Sequence, residues 1–170
     1  IEDVAASFAW VVRHIAEFGG DTNRIFVGGH SAGGHLAALL TLNEEYLERV
    51  EMSPNLIRGA VTLSGVFNLA TGESQSSVFG NDPAVRRDAS PLFHITPSAP
   101  PFLVTYCQWD YLRLPSQARE FHAALVKSGV SAKMVYISGE NHISEMVNVP
   151  KEDDLTAHAI LDFIRNQTLD

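Results

Sequence analysis

The chain has a single cysteine among 170 residues, and it has no uninterrupted apolar run long enough to span a membrane. One cysteine can form neither an internal disulfide nor a cysteine-rich metal site, which fits a reducing compartment. A transmembrane helix needs about 20 consecutive apolar residues, so we expect no membrane span. A targeting signal would lie upstream of Ile1, and the location therefore stays unknown, with the cytoplasm as the default.

Positive charge is also scarce. There are 12 Lys and Arg against 20 Asp and Glu, which gives a formal net charge of −8 at pH 7. Nucleic-acid binding depends on clusters of Lys and Arg, so we expect no nucleic-acid partner. The composition is 45% hydrophobic, and no low-complexity tract interrupts it. Residues 1–170 are therefore predicted to form one folded domain with a substantial core.

Glycine is concentrated in the segment GGHSAGGHLAALL at residues 28–40. Within it, Gly29, Ser31 and Gly33 form a Gly-x-Ser-x-Gly pattern between strand-like residues 24–28 and a helix-like run. On such a strained turn the serine stands clear of the sheet, and small neighbours let the strand and helix close tightly. The pattern predicts that Ser31 is a nucleophile. The residues that define nucleotide-binding glycine loops are missing, so no nucleotide site is expected.

A nucleophilic serine needs a base and an acid. One known arrangement places them in the order Ser, Asp or Glu, then His, each after a parallel strand. Residues 101–107 have the pattern of a strand, and Asp110 follows them closely. Residues 132–137 have the pattern of another strand, and His142 lies in the loop that leaves it. Asp110 and His142 are therefore the predicted acid and base.

Other residues of the right type fit these roles less well. Asp82 and Asp88 lie in a proline-rich connection, where turn or helix-cap roles are expected. Asn68 follows a strand but cannot carry a negative charge. His30 is adjacent to the serine and is expected to support the turn. The other histidines do not follow a strand end: His14, His35, His94, His122 and His158. No His-Glu-x-x-His pattern occurs, so neither a metal nor a cofactor is expected.

The order of the patterns predicts an α/β fold, with a mainly parallel sheet of about four strands in this chain and helices on both faces. Strands are predicted at residues 24–28, 57–64, 101–107 and 132–137. Helices are predicted from the first residues to Gly19-Gly20, from the serine turn to residue 42, and at residues 43–50, 115–128 and 151–166. The connection at residues 65–100 carries four prolines. It either covers a pocket and contacts substrate or is an ordinary surface crossing.

These residues resemble the esterase/lipase branch of the α/β-hydrolases, especially the hormone-sensitive-lipase-like carboxylesterases and the kynurenine formamidase (arylformamidase) group. The resemblance is carried by FGGDTNRI at 18–25, GHSAGGHL at 29–36, SGVFNL at 64–69, ASPL at 89–92 and GENH at 139–142. The Asn-His pair is closer to arylformamidases. Tyr106-Cys107 stands where relatives often have His-Gly, and Ile143 where an aromatic is usual. These departures bear on substrate preference.

The resemblance implies a serine carboxylic-ester hydrolase that acts on small or medium esters through Ser31, Asp110 and His142. It also implies one oxyanion-hole donor at the backbone N–H of Ala32. Substrate contacts are expected at three residues: His30, Phe67 and Ile143. An arylformamidase with the same triad is an alternative. A binding protein or an inactive fragment with this fold is another.

Family members carry a His-Gly-Gly type loop upstream of the nucleophile, and its N–H groups complete the oxyanion hole. No such loop precedes Ser31. We therefore expect this chain to be the carboxy-terminal part of a larger hydrolase, partnered by an amino-terminal segment that is a separate chain, is cleaved from this one or lies outside the residues given. The sequence also leaves open whether the protein forms a homo-oligomer.

Overall fold

The computed structural model describes residues 1–70 and 76–167. Its sheet has four strands: β1 (Ile25–His30), β2 (Ile57–Leu63), β3 (Phe102–Trp109) and β4 (Ala132–Asn141). All neighbouring strands are parallel and lie in the order β1-β2-β3-β4. The predicted α/β fold with about four parallel strands is confirmed.

The helices are α1 (Glu2–His14), α2 (Ala32–Leu42), α3 (Glu45–Glu48), α4 (Ser76–Phe79), α5 (Pro83–Asp88), α6 (Leu114–Lys127), α7 (Ser144–Val147) and α8 (Leu155–Asn166). A 3₁₀ turn extends α1 to Phe18, and Gly19 then takes the left-handed conformation expected of a helix end, with φ of 81°. No helix in the described ranges is long and apolar enough to cross a bilayer.

Helices pack on both faces of the sheet, as predicted. On one face, side chains of α2 and α6 cover β2 and β3, and the ring of Phe121 from α6 stacks on Phe67 at 4.1 Å between centroids. On the other face, Ala159 and Phe163 of α8 pack against β2 and β3. α1 and α3 cover the start of β1 and of β2. The strand cores are apolar because both faces are covered.

The connection at residues 65–100 carries short helices, and residues 71–75 of it lie outside the described part of the chain. Asp82 caps α5, because its carboxylate accepts a hydrogen bond from the N–H of Ala84 at 2.8 Å. The predicted cap role of Asp82 is confirmed. His35 of α2 links the helix to this connection, because its Nε2 donates a hydrogen bond to the carbonyl of Ala89 at 2.7 Å.

Two boundaries near the end of the chain differ from the prediction. β4 continues to Asn141, four residues beyond the predicted end. The last helix begins at Leu155 instead of residue 151, because the carboxylate of Asp154 caps it by accepting from the N–H of Ala157 at 2.7 Å. The single turn α7 lies between them and had no counterpart in the prediction.

Candidate active site

Ser31 lies on a tight turn between β1 and α2. Its backbone φ is 56°, in the region that non-glycine residues rarely adopt, and its N–H donates to the carbonyl of Leu63 on β2 at 2.8 Å. Gly29 is required here, because a Cβ at this position would lie 2.3 Å from the backbone of Gly33. A Cβ on Gly33 itself would meet nothing within 4 Å. The sequence pattern predicts small neighbours on both sides of the serine, and the close packing here requires only Gly29 to be small.

The three predicted triad residues meet at the carboxyl ends of the strands. Ser31 Oγ lies 2.9 Å from Nε2 of His142, and Nδ1 of His142 lies 2.8 Å from Oδ1 of Asp110. Because an ionised carboxylate only accepts, Nδ1 carries the proton and Nε2 accepts from the serine hydroxyl. The side chains of His142 and Asp110 are almost completely buried. This is the protonation pattern that a general base needs toward a serine nucleophile.

Asp110 is surrounded by hydrogen-bond donors. Its Oδ1 also accepts from the N–H of Tyr111 at 2.9 Å. Its Oδ2 accepts from the hydroxyl of Ser64 at 2.6 Å and more distantly from the N–H of Cys107 at 3.4 Å. Ser64 follows β2 directly, is fully buried and has a φ of 45°. These contacts hold the carboxylate in a fixed orientation toward His142.

Sequence reasoning missed Glu145, which lies behind Asp110. It is 0% exposed, its Oε1 accepts from the hydroxyl of Thr105 at 2.5 Å, and its Oε2 is hydrogen-bonded to Ser64 Oγ. Burial raises the pKa of Glu145, although its hydrogen bonds to Ser64 and Thr105 oppose the rise. The only signal in the sequence is a glutamate amid the apolar residues of α7, three positions after His142.

His30 and Tyr111 flank the ring of His142. The ring of His30 lies 4.4 Å from that of His142, and its Nε2 donates to the carbonyl of His142 at 2.6 Å. Burial and the neighbouring His142 lower the pKa of His30, which favours its neutral form. Tyr111 packs on the ring of His142 at 4.2 Å. His30 thus supports the histidine loop, and its predicted contact with substrate stays a prediction.

A largely apolar cavity of about 500 Å³ opens beside Ser31 and Ala32. Its walls come from α2 and from the 65–100 connection, including Val66, Leu69 and Phe79. Phe67 is 1% exposed and stacked in the core, so the expectation that it contacts substrate is corrected. Phe67 therefore lies in the core, whereas the preceding Val66 lines the cavity. Ile143, in contrast, is 52% exposed, and its predicted role stays open to test.

Asn141 has a structural role in this structure. Its side-chain oxygen accepts from the N–H groups of Ile143 and Ser144 at 3.0 and 3.1 Å, which forms the turn that leads into α7. The turn fixes the backbone on both sides of His142. The Asn-His pair therefore shapes the histidine loop.

Ala32 is the first residue of α2, directly after the nucleophile. The first N–H groups of a helix have no acceptor within the helix and carry partial positive charge. The predicted role of the Ala32 N–H as an oxyanion-hole donor stays a prediction.

Within the part of the chain that the structure describes, one group of three possible metal ligands was found: Cys107, Asp110 and Glu145. Metals bind the thiolate form of cysteine. Burial, together with the two carboxyl groups, raises the pKa of Cys107 to about 12, so its thiol stays protonated. The hydroxyl of Ser64 also bonds both carboxyl groups. The chemistry of this group fits a hydrogen-bonded cluster better than a metal site.

Comparison with known proteins identifies the family. The sequence profile of the BD-FAE family matches residues 1–125. The chain belongs to the BD-FAE family. This assignment confirms the resemblance to α/β-hydrolase esterases. Two relatives of this BD-FAE chain come from a mycobacterium. Esterase LipQ and Esterase LipC of Mycobacterium tuberculosis (strain ATCC 25618 / H37Rv) are 29% and 31% identical to this chain, and each match covers 96% of this chain.

A solved structure, a truncated form of a carbohydrate esterase from gut microbiota, has the same fold with a TM-score of 0.80. It shares 17% sequence identity over 98% of this BD-FAE chain and 67% of its own chain. At this identity the likeness shows the fold alone. The chain spans 43% of LipQ and 45% of LipC, which is less than half the length of either relative.

Proposed function

We propose that this chain carries the catalytic triad of a carboxylic-ester hydrolase that acts on small or medium esters. The observation that carries the proposal is the continuous hydrogen-bonded path from Ser31 Oγ through His142 to Asp110, with steps of 2.9 and 2.8 Å. The esterase names of relatives that match 96% of the chain support the same reaction class.

In this mechanism, Ser31 Oγ attacks the ester carbonyl carbon while His142 Nε2 takes the hydroxyl proton. The oxyanion of the tetrahedral intermediate accepts a hydrogen bond from the N–H of Ala32. His142 then gives its proton to the departing alcohol, and an acyl group remains on Ser31. Water, deprotonated by the same nitrogen, attacks this acyl-enzyme and releases the acid. Asp110 keeps the imidazole in the correct tautomer and stabilises the imidazolium.

The cavity beside Ser31 favours an apolar group on one side of the ester. Its volume of about 500 Å³ lies in the range of small-molecule pockets, and Leu36, Leu39 and Leu69 are among its walls. Besides Ser31, its polar wall residues are His35 and Tyr46. We place the acyl chain or the alcohol group of the substrate in this cavity.

An amino-terminal segment of the same hydrolase completes the active unit in this proposal. Within the described residues, β1 is the first strand of the sheet and pairs with β2 alone. Apolar grooves of about 370 and 540 Å³ lie along β1 and are lined by residues that include Val27, Gly28 and Val61. Relatives are more than twice as long as this chain. A strand added at β1 would cover this edge and could bring the second oxyanion donor.

The proposal is tested with the full-length protein and a fluorophosphonate probe, which labels only an activated serine. Wild type should be labelled and should hydrolyse p-nitrophenyl acetate, while Ser31→Ala should lose both. Asp110→Asn should reduce turnover by about 10⁴-fold, as in a serine protease. Ser98→Ala, on an exposed loop, is the matched control and should behave as wild type. Labelling that persists in Ser31→Ala would contradict the proposal, and faster turnover of N-formylkynurenine than of the ester would indicate an arylformamidase.

A further inference from the structure

The two buried carboxyl groups beneath His142 share one hydroxyl. Ser64 Oγ lies 2.6 Å from Oδ2 of Asp110 and is also hydrogen-bonded to Oε2 of Glu145. A serine hydroxyl has one proton to donate. It can satisfy only one of these two oxygens, so the other contact needs a proton from the carboxyl side.

The surroundings decide which carboxyl group supplies that proton. Asp110 receives the N–H groups of His142 and Tyr111 on Oδ1, and the Ser64 hydroxyl and the distant Cys107 N–H on Oδ2. The three N–H groups can only donate, and they outnumber the single hydroxyl, from Thr105, that Glu145 receives besides Ser64. Apart from the shared Ser64 hydroxyl, the described residues give Glu145 one donor, the Thr105 hydroxyl on Oε1, and its Oε2 faces the oxygen of Ser64.

Burial supports the same assignment. Glu145 is 0% exposed, and its carboxyl, that of Asp110 and the Cys107 thiol lie within 4.8 Å of one another. Two negative charges this close in a buried site are strongly unfavourable unless one is neutralised. Burial acts in that direction by raising the pKa of Glu145, and the negative charge of Asp110 adds to the rise.

We propose that Glu145 is a protonated positioning residue: its carboxyl proton is donated to Ser64 Oγ, and the Ser64 hydroxyl proton is donated in turn to Asp110. This inference rests on the proposed role of Asp110 in the triad. The chain of donors runs from Glu145 through Ser64 to Asp110, and it fixes the carboxylate that orients His142. Ser64 has an unfavourable backbone φ of 45°. It is the residue whose hydroxyl links Glu145 to Asp110.

The first test compares three variants of the full-length protein by their rate of fluorophosphonate labelling. Glu145→Gln keeps a donor toward Ser64 and an acceptor for Thr105, so its rate should stay within about threefold of wild type. Glu145→Leu and Ser64→Ala remove the chain of donors and should slow labelling about 10- to 100-fold, the range for a lost hydrogen bond to a charged group. A Glu145→Gln rate as low as that of Glu145→Leu would overturn the proposal, because the charge would then be needed.

The second test does not depend on activity, so it separates this inference from the proposed function. A carboxyl group whose pKa is raised on folding stabilises the folded state below its ordinary value near 4.5 and loses this contribution as the pH rises through the folded value. The urea midpoint of wild type should therefore fall relative to that of Glu145→Gln between pH 5 and pH 8. Glu48→Gln, on the exposed surface of α3, should show a constant difference from wild type. A constant difference for Glu145→Gln as well would overturn the inference.

Discussion

Cys107 is a residue whose environment suppresses its ordinary chemistry. It is 1% exposed, and burial raises the pKa of its thiol to about 12, with further contributions from Asp110 and Glu145. Thiol reagents react with the thiolate, and the thiolate fraction at pH 8 is negligible for such a group. The cysteine is therefore a small apolar residue of the core beneath the site.

We predict that iodoacetamide leaves Cys107 unmodified at pH 8 in the native protein and alkylates it fully in urea. Intact-mass spectrometry measures the added group. Ser98→Cys supplies an exposed thiol on the same protein, and this second cysteine should react under native conditions. Rapid native alkylation of Cys107 itself would show that the cluster around Asp110 opens readily.

At the residue scale, the sequence was sufficient to predict a site residue where that residue follows a strand and belongs to a recognisable motif. Ser31, Asp110 and His142 were placed together for that reason. Ser64 and Glu145 could not be found in this way, because their importance comes from burial and from contacts between segments that are distant along the chain. Phe67 was misassigned because adjacent loop residues face opposite directions, which the pattern alone does not reveal.

At the element scale, the approach of β1 to α2 depends on one glycine more than on the other. A Cβ on Gly29 would overlap the backbone of Gly33, which cannot move aside as a flexible side chain would. A Cβ on Gly33 would meet open space. Of the two glycine positions in this motif, Gly29 therefore excludes a side chain and Gly33 has room for one.

We predict that Gly29→Ala destabilises the protein by at least about 1–3 kcal/mol, the usual cost of overpacking a well-packed core. Gly33→Ala is the matched control and should be neutral or stabilising by up to about 1 kcal/mol, because alanine favours the helix. Urea denaturation of both variants measures the difference. Equal destabilisation of the two would show that this turn does not pack as described.

Hydrophobic periodicity predicted the existence and type of the long elements, but it predicted their ends less well. β4 extends to Asn141 because pairing with β3 continues past an irregularity in register near Trp109. α7 is a single turn, too short to show a helical period, and the loop before it is closed by the Asn141 side chain, which accepts from the N–H of Ile143. Such features arise from hydrogen bonds of single side chains, which periodicity does not report.

At the scale of the whole molecule, β1 has a strand partner on one side only among the residues that the structure describes, and this predicts how the 170 residues behave by themselves. We expect the isolated chain to self-associate as its concentration rises, because an apolar strand edge pairs with other chains. Analytical ultracentrifugation measures this. Supplying the proposed amino-terminal segment should yield a monodisperse species, and ester hydrolysis should rise by about 10²- to 10³-fold, the value of one oxyanion donor. A monomeric isolated chain with full activity would contradict the proposed amino-terminal partner.

The hydrogen bond from His30 to the carbonyl of His142 closes a ring of contacts with the bond from Ser31 to His142. β1, which leads into Ser31, is thus also hydrogen-bonded to the loop that carries His142. Because both hydrogen bonds join the same two segments, a shift of one segment relative to the other would have to break both of them.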